Sequence, residues 1–86
     1  MEFDYDSVKS VANKHKHGID FTRAQAVWYD PSRVEVRART EDEPRWLVIG
    51  CIEATCYSAI VTYRDERVRI ISVRRSRKEE VAIYEG

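Results

Sequence analysis

Eighty-six residues, 43% hydrophobic and 35% charged, with fifteen basic and fifteen acidic side chains for no net charge, suit one hydrophobic core and leave no room for two. The Val, Ile, Leu and aromatic content excludes a disordered chain, and no run approaches the ~20 apolar residues of a membrane helix. Met1-Glu2-Phe3-Asp4 has neither a basic n-region nor an apolar h-region, so the expectation is a cytoplasmic protein with a single domain over 1–86.

In chain order, Phe3 and Tyr5 alternate with Glu2, Asp4 and Asp6, which predicts a short strand or extended lead-in. Asp6 is placed to cap a helix whose Val8, Val11, Ala12 and His15 follow the i, i+3, i+4, i+7 spacing of an apolar stripe, with Gly18 as its left-handed C-terminal residue. Thr22-x-x-Gln25 has the form of a capping box, and Ala24, Val27 and Trp28 give the second helix an apolar face until Asp30-Pro31 ends it.

Arg33 to Arg39 alternates polar and apolar residues, as a strand with one wet face does. Arg45 to Ile52 and Tyr57 to Arg64 are apolar on both alternations and should pair as a hairpin, with at least one of them central. Arg67 to Arg75 follows the Asp65-Glu66 turn as another antiparallel neighbour, although that turn lacks the expected glycine. Ser76-x-x-Glu79 then opens a short C-terminal helix with Val81 and Tyr84 inward. The expected fold is α+β: N-terminal helices, a four-stranded antiparallel sheet and a C-terminal helix.

Charge is unevenly spread. From Arg64 to Lys78 there are seven basic residues against two acids, and Lys9 to His17 adds three lysines, two histidines and no acid. Eleven of the fifteen basic residues are arginine, whose planar fork suits phosphate. There is no Gly-rich phosphate loop, H-E-x-x-H, EF-hand loop or G-x-S-x-G, so neither a nucleotide cofactor nor a metal is expected. His15 and His17 point apart on a helix end, and the Glu41-Asp42-Glu43 loop reads as solvated rather than as a cation site. Cys51 and Cys56 read as reduced core thiols that face each other across a hairpin and could pair under oxidation. The remaining Arg, Lys, His and Tyr side chains suffice for attack of an RNA 2′-hydroxyl on its adjacent phosphate, which carries its own nucleophile.

The order and spacing of several short motifs over nearly the whole chain resemble the BrnT family of type II toxins. They are Phe3-Asp4-Tyr5-Asp6, Lys9, Asn13, Lys16-His17-Gly18-Ile19, Phe21, Ala24, Ala26, Asp30-Pro31, Ile49-Gly50, Arg69 through Arg74, Glu80 and Tyr84. Tyr5 stands where that family commonly has Trp, Trp28 where Phe is usual, and Val73 and Ser76 where Ala is frequent. The resemblance implies a RelE-like ribonuclease that inhibits translation and growth until a BrnA-type antitoxin neutralises it. It further implies a toxin–antitoxin hetero-oligomer that binds operator DNA through the antitoxin.

The candidate catalytic residues are Arg74, His17, Arg69, Lys16 and Tyr84, with Arg75, Arg77, Lys78 and Lys9 as RNA-backbone contacts. Arg74 leads as stabiliser of the phosphorane. Arg69 alternates to the other face of the strand, so the two share a site only if a twist or bulge intervenes. His17 sits at a helix C-terminus, where a cation is favoured, as a general acid, a phosphate contact or a plain cap. Tyr84 is either a proton donor or a docking residue of the last helix. The alternative function is a non-catalytic RNA- or protein-binding module of the same fold.

Overall fold

Eight elements follow one another in a computed structural model that describes residues 1–39 and 42–86. They are β1 (Glu2–Asp4), α1 (Ser7–His17), α2 (Phe21–Ala24), which continues as a 3-10 helix (Gln25–Tyr29), β2 (Val34–Ala38), β3 (Arg45–Ile52), β4 (Thr55–Arg64), β5 (Arg67–Arg75) and α3 (Lys78–Glu85). The α+β expectation holds, but the sheet has five strands in the order β1-β5-β4-β3-β2. The N-terminal lead-in is the fifth strand. It pairs parallel to β5, Phe3 opposite Val68, because a chain entering beside the last strand can run alongside it. The other pairs are antiparallel, as expected.

Side-chain chemistry fixes the ends of the helices. The Asp6 carboxylate accepts from the Val8 and Lys9 N–H groups at 2.8 and 3.1 Å, and Gly18 closes α1 with φ 76°. Both expected capping boxes are displaced. Asp20 caps α2 by accepting from the Arg23 N–H at 2.7 Å, while the Thr22 hydroxyl bonds Tyr5 at 2.9 Å. At α3 the cap is Arg77, whose N–H donates to Glu80 at 2.8 Å, one residue later than the Ser76 to Glu79 reading. Asp65 and Glu66 both adopt left-handed φ, 48° and 65°, so the β4–β5 hairpin takes its tight turn without glycine. Of the acidic loop, Glu41 lies outside the described residues, and Glu43 binds the Arg64 guanidinium at 2.7 Å.

One face of the sheet carries the core. Val48, Ile52, Ala59, Val61, Val68, Ile70 and Val73 meet Ile19, Phe21, Ala24, Val27 and Trp28 from the helical segment. Phe3 packs edge-on to Trp28 at 5.1 Å, and Tyr5 edge-on to Phe21 at 5.7 Å. Gly50 lets the 3-10 helix come close, since a Cβ there would stand 2.9 Å from Val27 Cγ1. Trp46 is half-buried against the same core.

Among the described residues the other face is covered by α3, which packs on β3 and reaches Ser58 of β4. The inward residue of α3 is the buried Glu80, with Val81 and Tyr84 only half-buried. Cys51 and Cys56 pair directly across the β3–β4 hairpin and are joined as a disulfide, half-exposed rather than reduced core thiols. No helix among the described residues is long and apolar enough to cross a membrane.

Candidate functional site

α1 is held to the sheet by polar chemistry. Asn13 Nδ2 donates to the Val73 and Ile19 carbonyls at 2.8 and 2.7 Å, and its Oδ1 accepts from the Val73 N–H at 3.3 Å. Beyond Asp4, β1 no longer pairs with β5, so the Asn13 amide satisfies strand groups that a neighbouring strand would otherwise take. Ser10 Oγ accepts from the Phe21 N–H at 2.9 Å. The buried residues of α1 are therefore Ser10 and Asn13. The expected inward stripe of Val8, Val11, Ala12 and His15 faces solvent instead.

Half-buried His17 continues the inward stripe at i, i+3 and i+7 from Ser10, while Lys16 beside it is exposed. Asp4, just before α1, pairs with Arg69, and Asn13 reaches Val73, so α1 runs in the sense of β5. Its last turn, with Lys16 and His17, accordingly heads toward the Arg75 end of the strand.

The faces of β5 are settled by a bulge. Thr62 pairs with Arg69 and Val61 with Ile70, but Ile60 pairs with Ser72 and Ser58 with Arg74, leaving Ile71 without a partner in β4. Ser58, Ile60 and Thr62 alternate onto one face of β4, so Arg69, Ser72 and Arg74 share that face despite their odd spacing. Unbroken alternation would have separated the two arginines. They stand about 13 Å apart, four strand steps at ~3.3 Å each.

Arg74 is the centre of a tight polar cluster. Its Nη1 and Nη2 donate to the two carboxylate oxygens of Glu80 at 2.6 and 2.7 Å, and Nη1 also donates to the Arg75 carbonyl at 3.3 Å. Glu80 accepts further from Ser58 Oγ at 3.0 Å and from the Arg77 N–H at 2.8 Å, while Ser58 Oγ bonds Ser76 Oγ at 2.8 Å. The Arg74 guanidinium, first of all, together with these other donors, holds the Glu80 carboxyl down at about 2, against the opposing effect of burial. The same pairing raises the Arg74 pKa. Side-chain exposure is 26% for Arg74 and 10% for Glu80, so the pair is half-sunk with one flank toward water. Glu80 takes the end-on fork of the guanidinium, which leaves Nε and the second Nη2 hydrogen as a side-on fork of the shape that binds a phosphate.

The other candidates fall into two groups. Arg69 is tied to Asp4 at 2.7 Å, and the Tyr84 hydroxyl donates to Asp30 Oδ2 at 2.5 Å. That hydrogen bond raises the Tyr84 pKa and lowers that of Asp30, which makes the phenol a poorer acid. Asp30 also accepts from the Cys51 and Ser32 N–H groups, so Tyr84 pins α3 beside a shallow cleft of about 370 Å³. In contrast, Lys9, Lys16, Arg75, Arg77 and Lys78 make no ion pair among the described residues. Arg75, Arg77 and Lys78 sit exposed at the end of β5 and the start of α3, next to the Arg74 cluster. No group of three or more His, Cys, Asp or Glu side chains among the described residues could hold a metal.

Sequence reading missed Glu80 as the partner of Arg74 and Asn13 as the anchor of α1. No local rule links residues six or sixty apart across different elements, and the one available signal was their place in the resemblance. The result is a small α+β protein whose last strand ends in a cluster of cations, unpaired among the described residues, around an arginine held by Glu80. The chain matches, over residues 5–80, the family described as ribonuclease toxin, BrnT, of type II toxin-antitoxin system. It belongs to that family. No curated protein gives a significant match.

Proposed function

We propose that the protein is a metal-independent endoribonuclease of RelE-like fold, acting in the cytoplasm as one toxin domain over 1–86 to inhibit translation and growth. In the reaction, the substrate 2′-oxygen loses its proton and bonds to phosphorus, and the P–O5′ bond breaks with protonation of the leaving oxygen. The products are a 2′,3′-cyclic phosphate and a 5′-hydroxyl. The free side-on fork of Arg74 is the observation that carries this reading, because it offers two aligned donors to the phosphorane charge while Glu80 fixes the guanidinium.

Arg75, Arg77 and Lys78 would hold the RNA backbone beside it, and Lys9 would add a contact along α1. Lys16 and His17, in the turn that heads for the same end of β5, would carry the proton transfers. Arg69, tied to Asp4 farther along the strand, would serve a neighbouring phosphate. Tyr84 serves this reading best as the residue that docks α3. A BrnA-type antitoxin would neutralise the enzyme in a hetero-oligomer that binds operator DNA through the antitoxin.

The ion pairs at both Arg69 and Arg74 favour a second reading, a binding module without catalysis, since a neutralised guanidinium stabilises less charge. End-labelled RNA incubated with antitoxin-free protein in excess EDTA separates the two. Cyclic-phosphate ends that disappear in folded Arg74→Ala and His17→Ala variants establish the reaction. Intact RNA, with and without ribosomes, leaves the binding module.

A further inference from the structure

The amphipathic pattern of α1 is turned inside out. Val8 and Val11 are 76% and 59% exposed, and Ala12 and His15 complete an outward stripe at i, i+3, i+4 and i+7, while Ser10 and Asn13 take the inner face. Exposed β-branched apolar residues at helical spacing bury nothing in this chain, so the stripe is a face that lacks its cover. Beside it lies a cleft of about 430 Å³ lined by Ser10, Val11, Lys14, His15 and Asp20, a socket for an apolar side chain.

Charge decides what fits there. α1 holds Lys9, Lys14 and Lys16 and no acidic residue, so a second copy of α1 would set lysine against lysine. An RNA backbone would satisfy the lysines but leave both valines against a polyanion. A helix with an apolar seam flanked by carboxylates satisfies both at once. We propose that the outward face of α1 docks an acidic amphipathic helix of the antitoxin, a placement that rests on the antitoxin partnership given above.

Asp20, the one acid in the cleft, is engaged in capping α2. Lys9 and Lys16 lie on the other side of the stripe from the cleft that Lys14 shares with Asp20, so carboxylates along those two lysines stay clear of it.

The test is calorimetric titration of the purified cognate antitoxin into the wild-type chain and into Val8→Glu, Val11→Glu and the double Val8→Ser/Val11→Ser variant. Glu and Ser are no worse than Val in a helix, so melting temperatures should be unchanged and confirm folding. The double Ser variant should bind the antitoxin at least about tenfold more weakly, from the lost burial of two valines. Each Glu variant should lose more, and RNA cleavage without antitoxin should not change. Unchanged antitoxin affinity with folded variants overturns the placement while the partnership stands. Loss of RNA affinity alone assigns the face to RNA, and loss of self-association alone assigns it to a second copy; both overturn the proposal. A wild-type chain that does not bind the antitoxin at all removes the partnership and the placement with it.

Discussion

The two faces of the sheet are built on different physics. On the first, Phe21, Val27 and Trp28 bury apolar surface against β3, β4 and β5, and a polar tie, Asn13, completes the backbone bonding of β5. On the second, fully buried Ile49 of β3 stands beside Ser58 of β4 and Arg74 of β5, and α3 is fastened there by a carboxylate. Apolar packing is insensitive to pH and tolerates few vacancies, whereas a half-sunk ion pair responds to protonation and to any anion that competes for its arginine. The first face is insensitive to pH, and the Arg74–Glu80 pair makes the second responsive to it.

Removal of the Asn13 amide attacks the first face at its polar point. Asn13→Leu keeps the volume but strands the Val73 N–H and two carbonyls, and should cost about 3 kcal/mol in chemical denaturation. A loss below ~1 kcal/mol would mean that water or a shifted α1 satisfies those groups as well.

On the second face, Glu80→Gln should cost about 2 kcal/mol at pH 7, because Arg74 loses a charged partner in a half-buried setting. Its signature is the acid limb. The folded Glu80 carboxyl titrates at about 2, below its ordinary 4.5, so its contribution is complete above 4.5 and drains away as pH falls toward 2. Stability measured from pH 6 to 2 should therefore fall less steeply in the variant, and an identical slope would detach the ion pair from acid sensitivity.

The smallest expected change has the opposite sign and lies on neither face. Glu66→Gly relieves a left-handed residue at φ 65° and should raise stability by about 1 kcal/mol, with the two differences above unaltered when it is used as the background. A destabilised variant would show that the Glu66 side chain, not its backbone, matters to the hairpin.

Strand positions were legible where alternation and turns are local. Arg45–Ile52 and Arg67–Arg75 have the bounds that their patterns announce, and α1 is capped by the Asp6 carboxylate and by left-handed Gly18 as expected. The caps of α2 and α3 moved because several acids and hydroxyls compete there, and the winner is set by where Phe21 and Glu80 must point. The facing of α1 was misread for a deeper reason. Periodicity reports which residues form a stripe, not which stripe turns inward.

The sequence by itself determined the helices, the run of four antiparallel strands, the concentration of cations around β5 and α3, and a motif order matching a ribonuclease toxin family, because each of these depends on neighbours a few residues apart. Only the tertiary structure decided that β1 closes the sheet in parallel and that Asn13 rather than two valines holds α1. It also decided, through the bulge at Ile71, that Arg69 and Arg74 share a face, and that Glu80 fixes Arg74 while leaving one fork open. Those outcomes depend on which backbone groups are still unpaired once distant strands have met, and that count does not exist until the sheet is formed.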